Sequence, residues 1–287
     1  MSTPVHTSTM PRGAGFARPA PAEPIAPGRS SGGSRSGFAS LLAAEAIKLK
    51  RSSAWVVVIL LPLLAVFAGT FNFYANREVF SQTWESLTSQ MTVFYSMFFC
   101  SLGVALLTST VWRVEHRGTS WNAMRTTPHS PIAVALAKTL VIFVPVLAMQ
   151  VVFMVLAWIS GTFIMGLGPA MPLVFIVADL LAIVGALPLI AVQSLLSMLM
   201  RSFAAPVAVA FVGCVVGFGF GASQNPLVYA VPQGILSKTL TLGSSAMSTA
   251  GKLDAASMLP LVVSIVGLGA VLWGLLALVS RRTGGAR

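Results

Sequence analysis

The chain has 287 residues, is 56% hydrophobic and only 9% charged, and carries a formal net charge of +11. So little charge cannot coat a soluble globule of this size, and seven acids spread along the chain leave no paired carboxylates for acid/base chemistry. The positive balance would suit a nucleic-acid binder, but nearly all of it flanks long apolar runs, which is the charge pattern of a membrane protein.

Residues 1–36 are rich in Pro, Gly, Ser, Ala and Arg and lack apolar periodicity, which predicts a disordered tail on the cytoplasmic side. They do not read as a signal peptide, because no apolar stretch follows a basic start within the usual length. From Gly37 to Arg51 the sequence is GFASLLAAEAIKLKR. Phe38, Leu41, Leu42, Ile47 and Leu49, interspersed with Glu45 and Lys48, predict a short helix with a greasy side and a basic end. It reads either as an elbow over 37–54 lying among lipid headgroups or as a straight extension of the first span. Trp55 marks the water–lipid boundary.

Six apolar runs follow: Trp55–Tyr74, Leu87–Trp112, Thr139–Gly161, Pro172–Met200, Phe203–Ala222 and Met258–Ser280. A helix needs about 20 apolar residues to cross hydrocarbon, and each run meets that length. The one formally charged residue within them is Asp179. The expected fold is therefore all-α, a polytopic membrane protein with six transmembrane helices within 55–282 and a short tail over 283–287. With the N-terminus in the cytoplasm, every lysine and arginine except Arg77, Lys238 and Lys252 falls on the cytoplasmic side, so both termini are expected inside and the chain multi-pass in the plasma membrane. Contact with anionic lipid would use the remaining basic surplus, and no nucleic-acid partner is expected.

The loop between the second and third runs reads WRVEHRGTSWNAMRTTPHSPIAVALAK. Gly118 should end the helix leaving run two. Thr119 or Ser120 can cap a short helix through Arg125, and Pro128 stops it. Ser130–Pro131 then supplies a cap and a first-turn proline for the helix that carries Lys138 into run three. Glu115, His116 and Arg117 read either as interfacial charges reaching for water or as a contact point for a cytoplasmic partner. Run four is long enough that it must tilt, kink near Gly185 and Pro188, or protrude. Run five carries Gly213, Gly217 and Gly221 on one face, a stripe that lets another helix approach closely. Residues 223–257 should lie outside, with Pro226, Pro232 and Gly234 breaking them into half-helices that either re-enter the membrane or lie on its surface.

No nucleotide-binding loop, nucleophile elbow, HExxH or CxxC occurs. Cys100 and Cys214 fall within spans, and His6, His116 and His129 are scattered, so no metal site and no catalytic residue is expected. Asp179 reads as a relay for protons or cations, a contact for a cationic substrate, or a carboxyl satisfied by a neighbouring helix.

Two stretches carry a family likeness: AEAIKLKRSSAW over Ala44–Trp55 and EHRGTSWNAMRTTPHSPIAVALAK over Glu115–Lys138. With the span count, they make the chain resemble the permease subunits of ABC-2 type exporters, particularly the small six-span group that includes lantibiotic- and bacitracin-resistance permeases. The resemblance implies that Glu115–Pro128 is a coupling helix seated on a separate ATPase subunit, with Glu115, His116, Arg117, Gly118, Thr119, Trp121, Met124 and Arg125 as its contacts. It also implies that the chain is not itself an enzyme and holds no cofactor, since ATP and Mg would be on a partner ATPase dimer. Spans 2 and 5 would face a second permease, identical or a sister chain, through Gly213, Gly217 and Gly221. Met91, Phe94, Tyr95 and Phe98, with Asp179, are the candidate path for an amphipathic cargo such as a peptide antibiotic, a drug-like compound or a lipid. Two alternatives stand beside this reading: a proton-coupled secondary transporter using Asp179, and a membrane scaffold or signalling subunit without cargo.

Overall fold

A computed structural model of the chain describes residues 37–116, 129–248 and 250–285, with side chains as far as Arg282. The expected tail over 1–36, the helix break at Gly118, the cap at Thr119 or Ser120 and the stop at Pro128 lie outside the described residues, as does the end of the tail over 286–287. Every described element is helical, and 6 helices are long and apolar enough to cross a membrane. They span Ala54–Ala75, Trp84–His116, Pro131–Ile164, Leu173–Leu199, Ala204–Ala222 and Ala255–Arg282, numbered here as spans 1 to 6.

A short helix α1 (Phe38–Lys50) ends at Arg51, and a turn through Ser52 and Ser53 separates it from span 1, α2 (Ala54–Ala75). Span 2 consists of α3 (Trp84–Phe94), a π-helical turn (Tyr95–Phe99), α4 (Cys100–Arg113) and a 3-10 turn (Val114–His116). It begins where the Thr83 hydroxyl accepts the Ser86 N–H, a side-chain cap. Span 3 begins at Ser130–Pro131 in the same way, the Ser130 hydroxyl accepting from the Ala133 N–H, and runs through α5 (Pro131–Ile159) into a second π turn (Ser160–Ile164). The expected run began at Thr139, so the helix starts eight residues earlier than the apolar stretch; it carries Lys138 inside it.

Span 4 is broken at Ala186 into α6 (Leu173–Gly185) and α7 (Leu187–Leu199), between Gly185 and Pro188. Proline lacks the N–H that would continue the ladder, and Gly185 has no side chain to oppose a bend. Span 5 is α8 (Ala204–Ala222). A 3-10 turn (Pro226–Ala230) and the nine-residue helix α9 (Pro232–Leu240) follow, and span 6 is α10 (Ala255–Gly285).

The core lies between spans 1 to 4. The Tyr95 ring stacks on Phe153 of span 3 at 3.9 Å between centroids, and Phe153 meets Phe175 of span 4 at 5.7 Å. Trp84 donates its indole N–H to the Leu167 and Gly168 carbonyls, both at 3.1 Å, which closes the end of the bundle where spans 2 and 3 meet. The segment α9 is wedged against spans 4 and 5, with Ile235 and Leu236 fully buried. By contrast Phe67, Phe71, Val212, Val215, Val263 and Val266 are exposed on the outer faces of spans 1, 5 and 6. Water would penalise such faces, whereas lipid or a second membrane subunit accepts them.

Candidate functional site

The charged residues of the bundle concentrate at one end, where span 1 starts and span 2 finishes. α1 has a single acid, Glu45, which shares its inner face with Leu49 one turn on, and both are buried. Because α1 packs on the start of span 3, this face delivers the Glu45 carboxylate to Lys138. Lys138 is fully buried, and its Nζ donates to Glu45 Oε2 at 2.8 Å and to Glu115 Oε1 at 2.7 Å. The ammonium also lies 5.7 Å from the ring centroid of Trp112, so the aromatic face solvates part of the cation that carboxylates do not reach. Lys48 closes the knot from its half-exposed side, donating to Glu45 at 2.8 Å and to Glu115 at 3.4 Å. Two carboxylates and two ammonium groups thus cancel, which is what allows such charges to be buried at all.

Burial by itself would raise the Glu45 pKa, but the charges of Lys138 and Lys48 outweigh it and hold the group below its ordinary value of 4.5. Lys48 is the mirror case: burial would lower it, yet Glu45 and Glu115 hold it above 10.5. The depressed acid contributes stability above pH 4.5 that disappears as pH falls through its folded value, below 4.5; the raised base contributes stability below pH 10.5 that disappears as pH climbs past that value. Thermal unfolding of the detergent-solubilised chain should therefore show a loss of midpoint at acid pH that Glu45→Gln flattens. An acid limb unchanged by Glu45→Gln would remove Glu45 from the knot's energetics.

Three residues at the end of span 2 reach three different partners. Glu115 joins α1 and span 3 through the knot. His116 Nε2 lies 2.7 Å from the Ser197 carbonyl of span 4, an acceptor, so that nitrogen donates the proton. Two turns before His116, Ser109 and Ser197 share a hydroxyl contact at 3.2 Å. Arg113 stacks its guanidinium 5.3 Å above the Phe203 ring at the start of span 5. Residues 117–128 begin directly after this three-way anchorage, and the chain returns at Ser130 to the helix that holds Lys138.

Of the residues singled out from the sequence, Glu115 and His116 sit in this cluster, while Arg117, Gly118, Thr119, Trp121, Met124 and Arg125 lie outside the described residues. The glycine stripe of span 5 faces the chain's own α9 segment. A Cβ on Gly213 would strike the Gln233 side chain, one on Gly217 would lie 2.5 Å from the Gly234 nitrogen, and one on Gly221 would touch Val228 at 3.7 Å. Met91 and Tyr95 are packed in the core, and Tyr95 donates its hydroxyl to Gln150 Oε1. Phe94 is half-buried, and Phe98, also half-buried, stacks on Phe211 of span 5 at 5.7 Å. Asp179 is buried in span 4, and neither of its oxygens has a hydrogen-bond partner among the described residues. These five side chains do not converge on one open path.

Sequence reasoning passed over Glu45, Lys48, Trp112 and Ser197 as site residues. A signal for Glu45 was present: Leu41, Glu45 and Leu49 fall four residues apart, which puts a lone acid on the buried face of an amphipathic helix. Nothing local marks Trp112 or Ser197. Both cysteines are free and buried, and no group of three His, Cys, Asp or Glu could hold a metal among the described residues. A family model described as ABC-2 family transporter protein matches residues 41–217, from the first turn of α1 to Gly217 of span 5. No curated protein and no solved structure matches the chain.

Proposed function

The chain belongs to the ABC-2 transporter family, and on that premise we propose that it is the transmembrane permease subunit of an ATP-driven exporter whose motor is a separate ATPase dimer carrying ATP and Mg. The observation that carries this reading is the divergence of Arg113, Glu115 and His116 to spans 5, 3 and 4 and to α1, immediately before residues 117–128. A push on those residues cannot be absorbed locally. It is handed to four elements at once, through one buried ion network, one short hydrogen bond and one cation–π contact, and packed helices respond by switching arrangement rather than by bending continuously.

The knot end also holds Lys50, Arg51, Arg201 and Arg281, which supports placing it and both termini in the cytoplasm of a plasma-membrane protein, where an ATPase can reach residues 117–128. Glu115–Pro128 would be the docking segment, with Trp121 as its aromatic anchor. A second permease, identical or sister, would cover the exposed apolar flank where Phe98 of span 2 meets Phe211 of span 5. An amphipathic cargo, peptide, drug-like or lipid, fits a path bordered by such aromatic and aliphatic surface.

The test is co-purification of the tagged chain from its native membrane. An ABC ATPase should accompany the wild-type chain. Trp121→Ala should reduce that association or its transport-stimulated ATP hydrolysis while leaving the thermal midpoint of the chain unchanged. Glu115→Ala should lower both, because it also breaks the knot. If the ATPase stays fully bound and coupled in Trp121→Ala, residues 117–128 are not the docking element.

A further inference from the structure

The least explained chemical group in the bundle is Asp179. It is 2% exposed, and neither carboxylate oxygen has a partner among the described residues. Its nearest titratable neighbours are acids too: it lies within electrostatic reach of the Tyr95 hydroxyl and the Cys100 thiol of span 2, and neither supplies positive charge. Gln150 across from them is already engaged, its Oε1 accepting from Tyr95 and, at 3.9 Å, from the Cys100 thiol. The cationic group on α9, Lys238, places its Cε 4.0 Å from the Cβ position of Gly221 on span 5. Span 3 and span 6 also pack on α6, but their charged side chains, Lys138, Arg281 and Arg282, belong to the knot end; α7 has none.

A second observation concerns access. At the end of the bundle opposite the knot, a cavity of about 80 Å³ opens between spans 2 and 4 and the end of α9, lined by Glu85, Thr88, Ser89 and Thr92 of span 2, by Phe175 of span 4 and by Leu240 and Ser244 at and after the α9 end. One water needs about 10–15 Å³ of such volume, so several fit. Two of the helices that line this cavity, spans 2 and 4, carry the buried group one turn deeper. Asp179 follows Phe175 by four residues, and Tyr95 follows Thr92 by three.

We propose that Asp179 is a proton-binding site, loaded through the cavity between spans 2 and 4 from the face opposite the charged knot. A carboxylate with no donor and no cation is the expensive form of this group in a buried site, and the neutral acid is the one the packing tolerates. A metal cation would need several oxygen ligands, and among the described residues no group of three His, Cys, Asp or Glu gathers here, while the Tyr95 hydroxyl is spent on Gln150. The bound proton therefore goes with the closed packing of spans 2 and 4. Parting of these spans admits water from the cavity, and the proton leaves to that water. The site belongs to this chain alone and needs no ATPase.

Infrared spectroscopy of the full chain in lipid nanodiscs tests this directly, because seven acids give a sparse carboxyl region. At neutral pH the wild type should show the carbonyl band of a protonated carboxylic acid, absent in Asp179→Asn and moved in frequency in Asp179→Glu. In heavy water the band should shift as the proton exchanges. Thr92→Leu, which fills the cavity, should slow that exchange about tenfold. Should Asp179→Asn fail to insert, Asp179→Glu supplies the assignment. Spectra of wild type and Asp179→Asn that match in this region would overturn the proton site. Exchange equally fast in Thr92→Leu would overturn the route. Neither outcome touches the permease reading, whose test is association with an ATPase.

Discussion

Lys138→Ala should destabilise the chain by about 3–5 kcal/mol, the usual cost of removing one partner from a buried ion pair, and lower its thermal midpoint on the order of 10 °C. The reason is geometric. Lys138 has no exposed surface, and both carboxylates it serves are nearly as buried. Without it, Glu45 and Glu115 face one another with only Lys48 between them, and Lys48 is 45% exposed in its side chain, so its attraction is weakened by water. Truncation also opens a void beside Trp112, whose ring loses the cation it faced. The triple replacement Glu45→Gln, Glu115→Gln, Lys138→Met should recover most of the loss, because the one charge it leaves, Lys48, is 45% exposed in its side chain and can be solvated by water. Differential scanning fluorimetry in detergent micelles measures both. If the triple variant is as unstable as Lys138→Ala, charge balance is not what the knot supplies, and its role in holding α1, span 2 and span 3 together must come from packing alone. On the proposed permease function, the triple variant should fold but transport poorly, since amides and a thioether transmit no charge-anchored displacement.

Gly217→Leu should cost at least about 3 kcal/mol, whereas Gly219→Leu, two residues away on the same helix, should be close to neutral. At Gly217 a Cβ would lie 2.5 Å from the Gly234 nitrogen and 2.9 Å from its Cα. Those are backbone atoms, so no rotamer change can make room, and span 5 would have to move off α9 as a body. Gly219 has nothing within 4 Å of its Cβ position, and an added leucine there only enlarges the lipid-facing surface. Amide hydrogen exchange across α9 is the more specific readout, because loss of the span 5 contact should deprotect residues 233–240 before the rest of the bundle opens. Equal loss of protection in both variants would mean that the stripe responds to bulk in general rather than to this close approach. The same comparison separates two uses of the stripe. A defect in α9 protection within a single chain belongs to intramolecular packing, while a defect only in association of two chains belongs to a subunit interface.

The helical class and the number of spans were legible from residues alone. Hydrocarbon imposes a length and penalises charge, and the six runs meet the first and, Asp179 apart, the second, so each apolar stretch could be read without knowing its neighbours. The ends were less legible. Spans 2 and 3 extend past their apolar runs to His116 and back to Pro131, because Glu115 and Lys138 neutralise one another and can be buried together. A charge in a sequence looks like a boundary until its partner is known, and the partner of Lys138 on α1 is 93 positions away. The break of span 4 was foreshadowed by Gly185 and Pro188, since both act locally on the backbone. Gly213, Gly217 and Gly221 announced a close approach, but not that the approaching element is the chain's own Gln233–Gly234.

Local chemistry and hydropathy thus suffice for class, span number, the helix start at Ser130 and the family likeness around Glu115. These depend on interactions within a few residues or with a uniform solvent. Tertiary packing alone decides that Glu45, Lys48, Glu115 and Lys138 form one neutral knot, that Arg113, Glu115 and His116 diverge to separate spans, and that Asp179 is left without a partner one turn beneath a polar cavity. These are outcomes of side chains far apart in sequence being brought together or kept apart, and their energy exists only once the helices lie side by side.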